Sequence, residues 1–374
     1  MSSLTILSDS AVHEILISLS KQEIIAFQTS LAKCLQDYSI GTERQYQPAP
    51  GVVNRPNGQK TLFRPFTSPT AVGTKIIVDP APTRDNKKLP LQGILTICDE
   101  NGIPKGIINA GEVTGYRTSL IAMIPYIWRR NTENIVVFGA GKQAHWHLRL
   151  SLALRGDEIK SVTVVNRSES RAREMLDIIT QENARHWKSP AALVHLDPSS
   201  PSFDRSLEAA LADADAIFCT VPSDSPIFPA HYITGQMGKK KNPYISAIGS
   251  WQPNMIELDP ALLRSIISNT TDGFHLGHSS SGAILVDDSE FVMKHTGEAV
   301  QSQLKLSDMI EIGKVFHLRD DETDRGQRER LSQWLKEGLV VYKSVGVSVT
   351  DLAAGEQILL LAKERSLGTH LEEF

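Results

Sequence analysis

The chain has 374 residues and carries 39 Lys and Arg against 43 Asp and Glu, a formal net charge of −4. At roughly 100–200 residues per domain this length predicts about two domains, and hydrophobic and charged fractions of 41% and 22% exclude a wholly disordered chain. The near-neutral balance provides no basic field for general nucleic-acid binding, and there is neither a basic signal-like start nor an apolar run of about 18 residues, so a soluble, cytoplasmic protein is expected.

Residues 4–7 read as a short strand. Ser8 and Asp9 are cap residues for the helical run VHEILISL, and KQEIIAFQTSLAKCLQDY continues as a second helix. From 41 to 110 the texture changes to short apolar or alternating runs, TLFRPF, GTKIIVDP, GILTICD and KGIINA, with ENG at 100–102 as a tight turn; a mainly antiparallel sheet is predicted. From about 130 strands alternate with helices. NIVVF, SVTVV, AALVHLD, AIFCTVPS and PYISAIGS are five strands in order, and NTTDGFHL and GAILVDD extend the series. Such alternation means βαβ crossovers and a parallel sheet covered on both faces. The charged stretch 320–330 reads as a surface loop, followed by a strand and a strong terminal helix. The fold class is therefore α/β, a Rossmann doubly wound parallel sheet plus an α+β substrate and dimerisation domain. The expected division is 1–128 with 331–374, and 129–330.

The clearest chemical motif is Gly139-Ala140-Gly141-Lys142-Gln143-Ala144, between an apolar strand and a helix. In a G-x-G-x-x-G/A turn the first Gly permits the bend, the second admits a pyrophosphate, and the third small residue lets helix pack on strand. The end of the next strand discriminates between dinucleotides. An acidic residue there holds the ribose 2′-hydroxyl of NAD, whereas this chain has Asn166-Arg167-Ser168, which suits a 2′-phosphate. NADPH is expected, with NADH less favoured.

Four cations precede that motif: Arg44, Arg64, Lys75 and Arg117. Lys75 lies mid-strand and Arg117 in a largely apolar helical run, where an ammonium or guanidinium needs an anionic partner. They can form a carboxylate site or simply pair locally. His145 and His147 are two apart on a helix and cannot share a face, and no third ligand joins His275 and His278, so no metal is expected. Cys34, Cys98 and Cys219 are odd in number and widely spaced, which excludes a disulfide framework. Lys239–Lys241 read as a solvated loop.

These motifs, in this order, resemble the ornithine cyclodeaminase/μ-crystallin family over nearly the whole length. The matching stretches are GTKIIVDP, GEVTGYRTSLIAM, VVFGAGKQA, DADAIFCTVPSDSPIF, ISAIGSWQPNMIELD and YKSVGVSVTDLAAGEQIL. The resemblance implies that Arg44, Lys75 and Arg117 bind a substrate carboxylate, and that Thr118 contacts cofactor phosphate. It also places Thr220, Val221, Pro222, Ser344 and Gly346 along the cofactor. Arg64 stands where many members carry an apolar residue, and either reads a further substrate group or pairs locally. Cyclodeaminases carry an Asp where this chain has Trp251, and an acidic residue where it has the Asn166 step. Both departures point toward the NADPH-using, μ-crystallin-like ketimine reductase branch.

The expected activity is NADPH-dependent reduction of a small α-imino acid, such as pyrroline- or piperideine-2-carboxylate. Lys75 would supply the proton and Asp351 would orient a water, contact the nicotinamide end or cap the terminal helix. One alternative is an ornithine or lysine cyclodeaminase using Asp351 or Glu112. Another is a non-enzymatic NADPH-dependent binding protein. A homodimer through the N-terminal sheet is implied, with a small-molecule carboxylate as the other partner and neither nucleic acid nor membrane.

Overall fold

The structure, a computed structural model, describes residues 3–83, 85, 89–235, 241–269, 273–275, 282–372 and 374. The chain divides into two compact units, Met1–Thr118 with Val347–Phe374, and Ser119–Gly346.

The first unit is built on β1 (Ser3–Leu7), β2 (Gly51–Asn54), β3 (Lys60–Thr67), β4 (Ala71–Asp79), β5 (Gln92–Asp99) and β6 (Pro104–Asn109). Strands β2 to β6 form an antiparallel meander; β1 lies parallel to β6, and the strand Thr369–Glu372 closes the far edge. The turn at 100–102 forms as expected. Asp99 Oδ1 accepts from the backbone N–H of Asn101 and Ile103, and Gly102 takes the left-handed φ of +84° that such a turn requires.

Because side chains alternate along a strand, Arg64, Lys75, Leu95 and Ile108 line up on one face of this sheet. The helix Val349–Glu364 packs there. Its Gly355 allows the approach, since a Cβ would meet Ile97 Cδ1 at 2.5 Å and Leu95 Cδ2 at 2.7 Å. The other face carries the cross-strand row Phe63, Ile76 and Ile94, with Phe63 41% and Ile94 42% exposed. Two N-terminal helices, Asp9–Ile17 and Lys21–Ile40, begin at side-chain caps, Ser8 for the first and a Ser20–Glu23 capping box for the second.

The second unit holds β7 (Asn134–Phe138), β8 (Ser161–Val165), β9 (Ala192–Leu196), β10 (Ala216–Cys219), β11 (Tyr244–Ala247), β12 (Ile284–Val286), β13 (Met309–Glu311) and β14 (Val340–Lys343). They pair in the order β13-β12-β14-β11-β10-β7-β8-β9, every pairing parallel. The sequence runs outward from β7 in one direction to β9 and then returns to β10 on the other side. That reversal between β7 and β10 is the topological switch point at which doubly wound sheets bind ligands. Buried strands such as AIFC and YISA are apolar or small throughout, as a sheet covered on both faces demands.

Three expectations need adjustment. The unit boundaries fall at 118/119 and 346/347, later at the C-terminal side than 330/331, because β14 pairs with β11 and β12. The stretch 320–330 is only partly loop. A helix spans Arg325–Glu337, capped by Asp324 and burying Leu331, Trp334 and Leu335 at helical spacing. Half of the run NTTDGFHL lies outside the described residues, and its described part, Asn269, Gly273, Phe274 and His275, is not strand. Lys239, Lys240 and His278 also lie outside the described residues; Lys241 pairs with Asp215 at 3.1 Å. Among the described residues no helix is long and apolar enough to cross a membrane, and the three cysteines are free thiols.

Candidate active site

In the second unit, Gly139 follows β7 with φ +110°, and a Cβ there would meet Thr220 Oγ1 at 2.7 Å. Only glycine fits. Gly141 is the N-cap of the helix Lys142–Arg155 and supplies no side-chain bond to it. A Cβ built on Gly141 would meet nothing within 4 Å, so the turn leaves open the space that a pyrophosphate takes. Ala144 is fully buried beneath the helix start. Lys142 is exposed and Gln143 half-buried. These residues fit a dinucleotide.

At the end of β8, Asn166 Nδ2 donates to Ser168 O at 2.8 Å, Arg167 is exposed, and Ser168 caps the helix Glu169–Arg185 by accepting from Arg171 N. After β10, Thr220 Oγ1 donates to Phe138 O at 2.7 Å and Val221 N donates to Glu257 Oε1 at 2.8 Å, while Pro222 is exposed. After β14, Ser344 Oγ and Gly346 N both donate to Asp287 Oδ2, at 2.7 and 2.5 Å. Burial raises the Asp287 pKa, and those donors offset part of the rise.

In the first unit, three cations converge on one carboxylate. Lys75 Nζ donates to Asp351 Oδ1 at 2.6 Å, and Arg117 Nε donates to the same oxygen at 2.8 Å. Lys75 and Asp351 are fully buried and Arg117 nearly so. Thr114 Oγ1 lies 3.4 Å from Lys75 Nζ. Half-buried Arg64 sits opposite Lys75 on β3 and reaches Ser348 Oγ at 3.5 Å.

The electrostatics follow from that crowding. Burial lowers the Lys75 pKa to about 7, Arg117 and Arg64 push the same way, and Asp351 opposes them. Burial would raise Asp351, but Arg117, Lys75 and Arg64 outweigh it and hold the carboxyl below its ordinary value. Asp351 Oδ2 is buried with no hydrogen bond. Arg44 is placed differently: it lies on a short 3-10 turn with its guanidinium 4.4 Å from the Tyr38 ring centroid. Half-buried Thr118 follows Arg117 on the helix Ala110–Ile127. Glu112 Oε2 is 3.2 Å from His13 Nδ1. Among the described residues no group of His, Cys, Asp and Glu gathers as a metal site.

Residues 31–365 match the family model described as the ornithine cyclodeaminase/mu-crystallin family. The chain belongs to this family. Among its relatives, a Δ1-pyrroline-2-carboxylate reductase of Bacillus cereus is 24% identical over 359 residues, covering 94% of this chain and 95% of the relative. An archaeal alanine dehydrogenase dimer with bound NAD matches the fold at TM-score 0.71 and 19% identity, over 100% of both chains. The Thermococcus litoralis Δ1-pyrroline-2-carboxylate reductase, in complex with NADH and L-proline, matches at TM-score 0.70 and 16% identity, over 98% of this chain and 99% of that one.

A second buried ionic cluster in this family member escaped the sequence reading. Lys343 Nζ donates to Ser250 O at 2.8 Å and stands 3.3 Å from Glu298 Oε1 and 3.8 Å from Glu257 Oε2. Glu257 accepts from the backbone N–H of Val221, Gly249 and Ser250, tying together the loops after β10 and β11, the latter leading to half-buried Trp251. Burial pushes Glu257 up to about 7. One signal was present: Lys343 ends the apolar strand VVYK just as Lys75 interrupts GTKIIV.

Proposed function

We propose that this chain is an NADPH-dependent reductase of a small α-imino acid, a ketimine carboxylate of the pyrroline- or piperideine-2-carboxylate kind. Its class is that of nicotinamide-dependent oxidoreductases acting on C–N bonds. One observation carries the reading: buried Lys75 and Arg117 both hold Asp351 Oδ1 while Asp351 Oδ2 has no hydrogen bond, and Arg64 lies opposite Lys75 on the neighbouring strand, a gathering of cationic groups that suits an external anion. A substrate carboxylate supplies it. Arg64 takes the place that the resemblance gave to Arg44, which stacks near Tyr38 instead.

The cofactor, when bound, supplies the hydride. The chain's residues do the rest. Arg64 and Arg117 fix the carboxylate, which orients the imine carbon. Lys75, with a pKa near 7, delivers the proton that makes the imine an acceptor. Asp351 holds Lys75 and Arg117 through Oδ1 and keeps Oδ2 as an acceptor for the substrate N–H. Gly139–Ala144 with Thr118, Thr220, Val221, Pro222, Ser344 and Gly346 bind the dinucleotide, and Asn166, Arg167 and Ser168 bind its 2′-phosphate.

Three placements weigh against a cyclodeaminase. Asp351 is held by two cations and Glu112 lies against His13, while Trp251 occupies the place of the cyclodeaminase Asp. For assembly we propose a homodimer in which a second copy covers the Phe63–Ile76–Ile94 row. Ile94→Glu should then yield a monomer by light scattering; an unchanged mass rejects that surface.

The activity is tested by following NADPH absorbance with pyrroline-2-carboxylate and piperideine-2-carboxylate, alongside ammonia assays with ornithine and lysine. NADPH oxidation by the imino acids, without ammonia from the diamino acids, is the expected result. Ammonia release without net cofactor change would make the protein a lyase. Tight NADPH binding without turnover of any of the four would make it a binding protein.

A further inference from the structure

One side chain beside the Asn166–Ser168 step has no part in the reading above. His195 is the last but one residue of β9, level with Val164 in a register that pairs Val165 with Leu196. It is half-buried, and its Nε2 lies 3.3 Å from the main-chain oxygen of Asn166, the first residue after β8. A carbonyl oxygen only accepts, so Nε2 carries a proton and donates it to this bond.

The backbone explains why a side chain is needed there. Continued one residue past Val165 and Leu196, the parallel register sets Asn166 beside Asp197, and the donor that would reach Asn166 O is the N–H of residue 198. Residue 198 is proline and has no N–H. His195 supplies the missing donor. On the other flank of β8, Val165 O accepts from Gly139 N at 2.9 Å. Successive carbonyls therefore turn opposite ways, that of Val165 toward the Gly139–Ala144 turn and that of Asn166 toward β9. A trans peptide unit is planar, so its N–H points opposite to its C=O. With Asn166 O held by His195, the N–H of Arg167 points away from β9, to the flank on which Gly139 lies. Among the described residues nothing accepts from that N–H.

We infer that His195 is a positioning residue that turns the Asn166–Arg167 peptide so that the Arg167 N–H donates to the 2′-phosphate of the dinucleotide. This rests on the NADPH reading of the Asn166–Ser168 step. The exposed guanidinium of Arg167 can follow a phosphate on its own long side chain. A backbone N–H has one direction only, and here the His195 contact sets it. Selection of NADPH over NADH thereby gains a fixed donor beside a mobile charge.

The test is the affinity for NADPH and for NADH, by fluorescence titration, in variants of His195. His195→Leu and His195→Ala lack a donor; each should weaken NADPH about three- to tenfold, the worth of one hydrogen bond, and change NADH by less than about twofold. His195→Gln, whose carboxamide N–H reaches about as far as Nε2, should hold NADPH within about twofold of the parent. A histidine that merely braced the strand end would move both affinities together. Unchanged NADPH affinity in the variants without a donor, parallel weakening of NADH, or a Gln variant as weak as the Leu variant would each overturn the inference. If the unaltered protein binds NADH as tightly as NADPH, the 2′-phosphate reading itself fails, a result that needs no variant and is distinct from these.

Discussion

Each unit carries a lysine set into an apolar strand, and the two are almost equally buried, Lys75 at 0% and Lys343 at 2% exposure. Their surroundings are opposite in sign. Lys75 shares its pocket with Arg117, Arg64 and the Asp351 carboxylate, one oxygen of which is buried without a hydrogen bond. Lys343 stands between Glu257 and Glu298 and also donates to Ala247 O and Ser250 O. There acids outnumber the cation, and Glu257 is further occupied by three backbone N–H groups. A buried ion cluster is weak evidence of stability in general. On the proposed reading the first cluster is a receptor for an anion, and the second is a brace that closes on itself.

The sharpest way to break that distinction is to remove each ammonium in turn. Lys75→Met should lower turnover by about 10²–10⁴-fold, the usual worth of a positioned acid, while NADPH affinity measured by fluorescence titration stays nearly unchanged. A collapse of cofactor binding would move Lys75 out of the substrate site. Lys343→Met should act on stability instead. It leaves Glu257 and Glu298 buried without their cation, a loss of about 3–5 kcal/mol, visible as a large fall in the denaturant midpoint. A variant as stable as the parent would show that the two acids are held as well by backbone donors alone.

How much of this was legible beforehand depends on what each feature requires. The parallel sheet was readable because strands buried on both faces are apolar throughout and alternate with helices. The turn at 139–144 was readable because close backbone approach admits only small residues. Lys75 and Arg117 stood out as cations in apolar elements, and the same rule applied to Lys343 would have found the second cluster. The partner of Lys75 was harder to see. Asp351 lies on the far side of the chain's fold-back in sequence, and as the third residue of a helix it reads equally well as a first-turn acid. Arg44 was hard to place for a related reason. It comes just after the helix Lys21–Ile40, on a 3-10 turn rather than a strand, whereas Arg64 is fixed opposite Lys75 by strand register.

A smaller effect sharpens the comparison from the cofactor side. Arg167 is exposed at the end of β8, where no acidic residue stands. Arg167→Asp should weaken NADPH by about 1.5–3 kcal/mol through loss of a charge-assisted contact and gain of a repulsive one, with NADH changed much less. Equal effects on both would remove the 2′-phosphate reading and leave the choice of dinucleotide to other residues.

The smallest effect expected at neutral pH comes from titration, and its direction differs between the two clusters. Lys75, lowered to about 7, acts as an acid only while protonated. At a pH equal to that value half the molecules carry the proton, and above it reductive turnover should fall tenfold per unit. Glu257 is raised from 4.5 to about 7, so between those values the folded chain holds a proton that the unfolded chain has released. Stability from this group is present below about 4.5 and lost as pH rises to about 7. Turnover recorded between about pH 5 and 9 and unfolding recorded between about pH 4.5 and 7, below the window in which Lys75 itself contributes to stability, should therefore separate: Lys75→Met removes the fall in turnover above about 7 and leaves the stability slope below it, whereas Glu257→Gln removes that slope and leaves the turnover profile. If either variant altered both curves, the two lysine clusters would not be independent, and the division into receptor and brace would be lost.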